Sequence, residues 1–164
     1  MKIALIGSGS FGSTMSIILA SNLLDRKINT PLFMYIRRKE LLDTLNDKRI
    51  HPDYPALSNV LFPKNIKFSS SIEEVLSDAT HLVFSTPSKY AKSMLLNIKG
   101  KISKETKIIS LVKGFFIDDD NNFMRISTLI KEILEIDYAN ICTLSGPNVY
   151  TELASNYDMK NPIH

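Results

Sequence analysis

The stretch Gly7-Ser8-Gly9-Ser10-Phe11-Gly12 decides the fold of this chain. It follows a predicted strand at residues 2–6, of which residues 3–6 are apolar, and opens a run at residues 10–24 with apolar residues at helical spacing. In a G-x-G-x-x-G element between strand and helix, the first glycine allows a tight turn and the second lets a pyrophosphate approach the backbone. The third lets helix and strand pack closely. The stretch therefore predicts a dinucleotide-binding turn; the alternative is a glycine-rich turn that only reverses the chain.

The rest of the chain alternates between strand and helix patterns. We predict further strands at residues 32–36, 66–69, 81–85, 106–111 and 140–144, and helices at residues 39–46, 71–77, 88–98, 122–134 and 149–155. Such alternation predicts right-handed βαβ crossovers and a parallel sheet with helices on both faces. The predicted fold class is therefore α/β, a doubly wound, mostly parallel sheet of the Rossmann type, formed by residues 1–164 as one domain. Residues 47–64, which contain Pro52, Pro55 and Pro63, are predicted to be a loop over the sheet edge.

The composition excludes several classes of protein. Of the 164 residues, 44% are hydrophobic and 23% are charged, which allows a substantial core and argues against disorder. No apolar run approaches the roughly 20 residues that cross a bilayer, and the N-terminus has no signal-peptide pattern. We therefore expect a cytoplasmic protein that is not a membrane protein. The net charge of +3 is small and its lysines and arginines are scattered, which argues against a nucleic-acid partner.

The single cysteine limits the redox and metal chemistry that the chain can perform. One cysteine, Cys142, excludes an internal disulfide and a multi-cysteine metal site, and we expect no metal. Because its neighbours are apolar, Cys142 is predicted to be a buried structural thiol.

The end of the second predicted strand bears on the choice of cofactor. NAD-specific folds carry an acidic residue there, which bonds the 2′-hydroxyl of the ribose. This chain has Arg37-Arg38 instead, and guanidinium groups bind a 2′-phosphate through charge-assisted hydrogen bonds. We therefore predict that NADPH is favoured and NADH tolerated; the alternative is that both arginines are solvated surface charges.

Four later segments, together with the glycine turn, resemble NAD(P)-dependent glycerol-3-phosphate dehydrogenase over essentially the whole chain. The segments are Phe84-Ser85-Thr86-Pro87-Ser88, Ser110-Leu111-Val112-Lys113-Gly114, Leu144-Ser145-Gly146-Pro147-Asn148 and Glu152-Leu153-Ala154. The resemblance implies interconversion of dihydroxyacetone phosphate and sn-glycerol 3-phosphate, which feeds phospholipid synthesis. It implies that Ser10, Phe11, Arg37, Arg38 and Tyr54 contact the cofactor, that Lys113 lies between cofactor and substrate, that Gly146 and Asn148 line the substrate site, and that Tyr150 lies near the nicotinamide. The family more often has Ser or Thr at the position of Asn148.

The residues support one shared crevice independently of the resemblance. In an open parallel sheet, ligands bind beyond the carboxyl ends of the strands, and the segments around Thr86, Lys113 and Asn148 each follow a predicted strand. A lysine there can neutralise a phosphorylated substrate and polarise its carbonyl oxygen. For each of these residues the alternative to a binding role is a structural one. Lys113 is then an ordinary loop lysine, Asn148 a helix N-cap, Thr86 part of a strand-ending turn and Phe11 a core side chain.

The resemblance also implies that the general-acid lysine and most phosphate ligands belong to a helical C-terminal domain, absent from residues 1–164. We therefore expect the chain to bind dinucleotide with little activity alone, and its exposed interdomain surface to favour a homodimer. Two alternatives stay open: a fragment of another phospho- or hydroxy-acid reductase, and a non-catalytic dinucleotide sensor.

Overall fold

A six-stranded parallel sheet forms the centre of the molecule in the computed structural model, which describes residues 1–117 and 122–156. The strands are β1 (Ile3–Ile6), β2 (Leu32–Tyr35), β3 (Ile66–Ser69), β4 (His81–Phe84), β5 (Lys107–Ser110), β6 (Phe115–Ile117), β7 (Phe123–Arg125) and β8 (Ile141–Thr143). The sheet order is β3-β2-β1-β4-β5-β8, and every neighbouring pair is parallel. The order reverses between β1 and β4, where doubly wound folds bind their ligands. The predicted fold class is confirmed.

Helices cover both faces of this sheet. They are α1 (Ser10–Asp25), α2 (Lys39–Lys48), α3 (Ile72–Leu76), α4 (Ser88–Ile98), α5 (Ile126–Leu134) and α6 (Tyr150–Asn156). One buried cluster joins the sheet to α3, α4 and α5, and a second joins it to α1, α2 and α6. All four residues of β1 are buried, because this strand lies in the middle of the sheet with helices on either side. This explains why its sequence shows no polar alternation.

The start of the fifth helix differs from the sequence prediction. We predicted a helix over residues 122–134, whereas α5 begins at Ile126 and the preceding residues form β7, which pairs antiparallel with β6. Met124 and Phe116 face each other and pack against the core, while Phe123 and Phe115 are exposed. This period of two suits a hairpin, and pairing with β6, for which no strand was predicted, overrides the local helical pattern.

The loop between α2 and β3 is packed rather than open. Leu57, in the 3-10 turn Pro55–Leu57, and Phe62 are fully buried, and the Phe62 ring stacks edge-on with Phe68 of the edge strand β3. Arg49 donates hydrogen bonds to the carbonyl oxygens of Phe62, Pro63 and Ile66, which close the base of the loop. The loop therefore covers the sheet edge, as predicted, and it is held firmly enough to present side chains at fixed positions.

The prediction that Cys142 is buried is wrong. Cys142 is exposed, because β8 is an edge strand and the side chains of Cys142 and Thr143 lie at the uncovered end of the sheet. Leu144 and Val149, which follow β8, are also exposed apolar residues. Within residues 1–117 and 122–156, no helix combines the length and apolar character needed to span a membrane.

Candidate functional site

The glycine turn after β1 is closed by backbone on two sides. Gly7 has φ +120°, and a Cβ atom on it would lie 2.5 Å from the carbonyl carbon and oxygen of Ser85. A Cβ atom on Gly12 would lie 2.0 Å from the carbonyl oxygen of Gly7. Only glycine therefore fits at these two positions, since any side chain would force apart the backbones of the turn, α1 and the segment after β4.

Gly9 faces open space instead. It has ordinary extended dihedral angles, φ −74° and ψ 175°, and the nearest atom to a Cβ built there is Tyr54 Oη at 3.9 Å. α1 begins at the next residue, with no side-chain cap and no acidic residue in its first turn. The first amides of a helix lack intrahelical acceptors and carry the positive end of the helix dipole. The turn is therefore shaped to let an anion approach the backbone at Gly9.

Two clefts lie on either side of this turn and share Gly9, Thr86 and Pro87. We call the first, of about 270 Å³, the adenosine-side cleft, after the half of the dinucleotide that the sequence analysis predicts beside Arg37. Its lining includes Gly7, Ser8, Tyr35, Arg37 and Tyr90. The second, of about 330 Å³, is called the lysine-side cleft, and its lining includes Ser10, Phe11, Gly12, Ser85 and Lys113. A ligand that is long and narrow at its middle can therefore occupy both clefts while crossing the turn at Gly9.

Thr86 presents a polar atom at the junction of the two clefts. The residue is 6% exposed, and its Oγ1 has no hydrogen-bond partner among residues 1–117 and 122–156. Buried hydroxyl groups in folded proteins nearly always have a partner. The unpaired Oγ1 fits a site whose hydrogen bond is completed by a ligand, which favours a binding role for this segment over a plain strand-ending turn.

The two predicted cofactor arginines have different surroundings. Arg37 lines the adenosine-side cleft. Arg38 is not part of that lining; its Nη2 donates to Asp53 Oδ2 in an ion pair, with the two side chains 52% and 41% exposed. The structure therefore leaves Arg37 facing the cleft and engages Arg38 with a carboxylate from the loop.

His51 and Asp53 were missed by the sequence analysis. His51 is fully buried, its Nε2 lies 3.2 Å from the carbonyl oxygen of Ser8, and its Nδ1 accepts a hydrogen bond from the backbone N–H of Asp53 at 3.3 Å. Because Nδ1 accepts, the neutral ring carries its proton on Nε2 and donates it to Ser8. No motif marks these residues, since a single histidine in a proline-containing loop has no local signature.

The burial of His51 lowers the pKa of its ring below the ordinary value of 6.5. The hydrogen bond to Ser8 and the charge of Asp53 act in the opposite direction, while the charge of Arg38 adds to the lowering. The neutral ring is thus the form that holds the loop against the glycine turn.

Lys113 lies where the lysine-side cleft meets the segment after β8. Its Nζ donates a 2.8 Å hydrogen bond to the carbonyl oxygen of Asn148 and lies 5.6 Å from the centroid of the Phe11 ring. A Cβ atom on Gly146 would lie 3.8 Å from Asn148 Nδ2, which is buried and lacks a partner among the described residues. The structure therefore brings together Phe11, Lys113, Gly146 and Asn148, although they come from three separate segments of the chain.

Tyr150 lies outside both clefts. It is the first residue of α6, and its ring contacts that of Tyr54 at 5.8 Å, edge-on. Tyr54 in turn contacts His51, with ring centroids 4.5 Å apart, and its hydroxyl reaches the space above Gly9. Asn148 precedes the helix by two residues, so it is not the N-cap of α6.

The ionisable groups of the site suit ligand binding more than metal chemistry. No group of three or more His, Cys, Asp or Glu side chains that could hold a metal ion occurs in the part of the chain that the structure describes. Within that part, Lys113 is the one positively charged side chain lining the lysine-side cleft, and Arg37 is the one lining the adenosine-side cleft. A helix start flanked by two cations is a suitable environment for a phosphorylated, anionic ligand.

Comparison with known proteins agrees with this arrangement. Residues 2–159 match the family model described as NAD-dependent glycerol-3-phosphate dehydrogenase N-terminus. A glycerol-3-phosphate dehydrogenase [NAD(P)+] of Clostridium botulinum is 36% identical over 147 residues, which are 90% of this chain and 40% of the relative. A glycerol-3-phosphate dehydrogenase [NAD(+)] of Eremothecium gossypii is 29% identical, over 93% of this chain and 36% of the relative.

A solved structure of Plasmodium falciparum glycerol-3-phosphate dehydrogenase superposes with a TM-score of 0.84 at 32% identity, covering 94% of this chain and 43% of that one. The chain therefore spans about two fifths of the length of the relatives that it matches.

Proposed function

Because the chain belongs to the family of NAD-dependent glycerol-3-phosphate dehydrogenase N-terminal domains, we propose that it binds NAD(P)(H) across the glycine turn for hydride transfer between the nicotinamide and a phosphorylated three-carbon substrate. The substrate pair that we propose is dihydroxyacetone phosphate and sn-glycerol 3-phosphate. The bound nicotinamide supplies the hydride chemistry, and the protein supplies binding, orientation and charge.

The two clefts that meet at Gly9 are the observation that carries this proposal. A dinucleotide has two nucleoside ends joined by a diphosphate, and the open space above Gly9 lies between the two clefts. The diphosphate then accepts hydrogen bonds from the amides of Ser10 and Phe11 at the start of α1. The unpaired Thr86 Oγ1 supports a ligand at the same junction.

The other cofactor contacts follow from the surroundings of each side chain. Arg37 lines the adenosine-side cleft, so its guanidinium binds the 2′-phosphate of NADPH. Phe11 lines the lysine-side cleft and contacts the nicotinamide half. Tyr54, whose hydroxyl lies nearest to the space above Gly9, contacts the diphosphate. Tyr150 acts on the cofactor through its contact with Tyr54.

Lys113 is the residue that we assign to the substrate. Its ammonium group lies between Phe11 of the nicotinamide side and the backbone of Asn148. A substrate phosphate or carbonyl oxygen there gains charge stabilisation, and Asn148 Nδ2, unpaired among the described residues, is available as a second donor. Lys113, Gly146 and Asn148 thus form the substrate-binding group of this chain.

We propose NADPH as the preferred cofactor, with NADH also bound, because one arginine faces the adenosine-side cleft while the other is paired with Asp53. Calorimetric titration of the chain with NADPH and with NADH tests cofactor binding, and amide chemical shifts in nuclear magnetic resonance spectra test its location. The largest shifts are expected at Ser10, Phe11 and Gly12. Absence of binding by both cofactors would refute the proposal.

The hypothesis that the chain is a non-catalytic dinucleotide sensor expects the same result in the titrations with NADPH and NADH. It differs in expecting no binding of sn-glycerol 3-phosphate to the cofactor complex. Because the resemblance implies that most phosphate ligands lie in a second domain, the enzyme hypothesis expects weak binding by this chain. A chemical-shift titration of the saturated NADP⁺ complex with that substrate detects weak binding and separates the two hypotheses.

A further inference from the structure

We infer that Asp53 is a specificity-determining residue for the cofactor, because its carboxylate pairs with Arg38 and opposes the 2′-phosphate of NADPH. This inference rests on the proposed function of the adenosine-side cleft. In NAD-specific folds, a carboxylate at the end of the second strand bonds the ribose 2′-hydroxyl. This chain has Arg37-Arg38 at that place, and the loop brings Asp53, fifteen residues after Arg38, to the same strand end. The carboxylate is therefore supplied from the loop.

The position of Asp53 is fixed from its backbone. Its N–H donates to Nδ1 of the buried His51, whose Nε2 lies 3.2 Å from the carbonyl oxygen of Ser8 in the glycine turn. One connected set of contacts therefore links Arg38, Asp53, His51 and Ser8. The loop around these residues is packed, with Leu57 and Phe62 fully buried, and this packing holds the Asp53 backbone beside the end of β2.

The charge of Asp53 acts differently on the two cofactors. A 2′-phosphate bound at Arg37 brings a negative charge towards the neighbouring Arg38–Asp53 pair, where it attracts the guanidinium of Arg38 and repels the carboxylate of Asp53. A 2′-hydroxyl brings no charge and can donate a hydrogen bond to a carboxylate. Both side chains are about half exposed, at 52% and 41%, so the cofactor can reach the pair. Asp53 is thus expected to reduce the difference in affinity by which the chain prefers NADPH over NADH.

Calorimetric titration at low salt tests this inference. The quantity measured is the ratio of the Kd for NADH to the Kd for NADPH, in the unchanged chain, in Asp53→Asn and in Asp25→Asn. Asp25→Asn is the matched control, because it removes the same charge at the far end of α1, whose 16 residues span about 24 Å. The ratio should rise about three- to tenfold in Asp53→Asn and stay unchanged in Asp25→Asn. The rise should shrink at high salt, as expected for half-exposed charges.

The ratio of the two Kd values distinguishes an effect of the Asp53 charge from an effect of Asp53 on the packing of the loop. If Asp53 only holds the loop in place, Asp53→Asn weakens both cofactors equally and the ratio does not move, which overturns the inference. A fall in the ratio also overturns it. Addition of Arg38→Met to Asp53→Asn should reverse the gain, because the gain depends on the freed guanidinium. Failure of the unchanged chain to bind either cofactor would refute the proposed function itself, and that result is distinct from an unmoved ratio in a chain that binds both.

Discussion

Replacement of Gly9 by valine should remove cofactor binding while leaving the domain folded. Gly9 has extended dihedral angles that valine adopts readily, and its Cβ would meet only Tyr54 Oη, at 3.9 Å. Valine is a poorer N-cap than glycine, which costs about 0.5–1 kcal/mol of folding free energy. For a domain of this length, that corresponds to a fall of about 1–4 °C in Tm.

The effect on binding should be much larger. The valine methyl groups fill the space above Gly9, through which a diphosphate reaches the amides of α1. Hydrogen bonds to a charged group contribute about 1.5–3 kcal/mol each. Loss of one or two of them, about 3 kcal/mol in total, corresponds to a Kd raised about 100-fold or more.

Three measurements check this prediction. Calorimetry with NADH and NADPH gives the Kd, thermal unfolding gives the Tm, and adenosine serves as a control ligand that has no diphosphate. Gly9→Ala should fall between valine and glycine in cofactor affinity, and adenosine binding should be equal in all three chains. A folded Gly9→Val chain whose cofactor Kd lies within twofold of the unchanged chain would refute the reasoning, because the diphosphate would then not cross the turn at Gly9.

Gly12→Ala should behave in the opposite manner, since its Cβ would lie 2.0 Å from the Gly7 carbonyl oxygen; we expect a loss of about 3 kcal/mol or more in the free energy of unfolding, measured by urea denaturation. Arg37→Ala with Arg38→Ala should remove the preference for NADPH, checked by calorimetry with both cofactors; a preference that persists would argue against the arginines. Lys113→Met should raise the Kd of sn-glycerol 3-phosphate for the NADP⁺ complex about tenfold or more and change cofactor affinity little, whereas Lys104→Met, at an exposed lysine paired with Glu135, should change neither. Acidification should lower stability: burial holds the pKa of His51 below 6.5, so between the folded and unfolded pKa values the unfolded chain binds more protons and stability falls as pH falls through that window. In His51→Gln that part of the pH dependence of Tm should disappear, and its persistence would contradict the assignment.

The hairpin of β6 and β7 illustrates a limit of local sequence patterns. Residues 122–134 fit a helix when read alone, and α5 does occupy Ile126–Leu134. The preceding residues pair with β6 because Met124 and Phe116 face each other over the core. A partner from another segment decided the structure there, and periodicity within one segment carries no information about that partner. Cys142 shows the same limit, because its exposure depends on β8 being an edge strand.

The sequence alone determined the six-stranded sheet and the glycine turn, because these depend on local periodicity and on glycines whose spacing is set by short-range geometry. It also marked Arg37, Lys113 and Asn148, since each follows the end of a strand and the carboxyl ends of parallel strands meet at one edge. Only the tertiary structure decided that Arg38 pairs with Asp53 and that His51 bonds to the carbonyl oxygen of Ser8, 43 residues earlier in the chain. Contacts of this kind depend on the packing of a long loop against distant backbone, and packing between segments far apart in the chain leaves no periodic pattern in either of them.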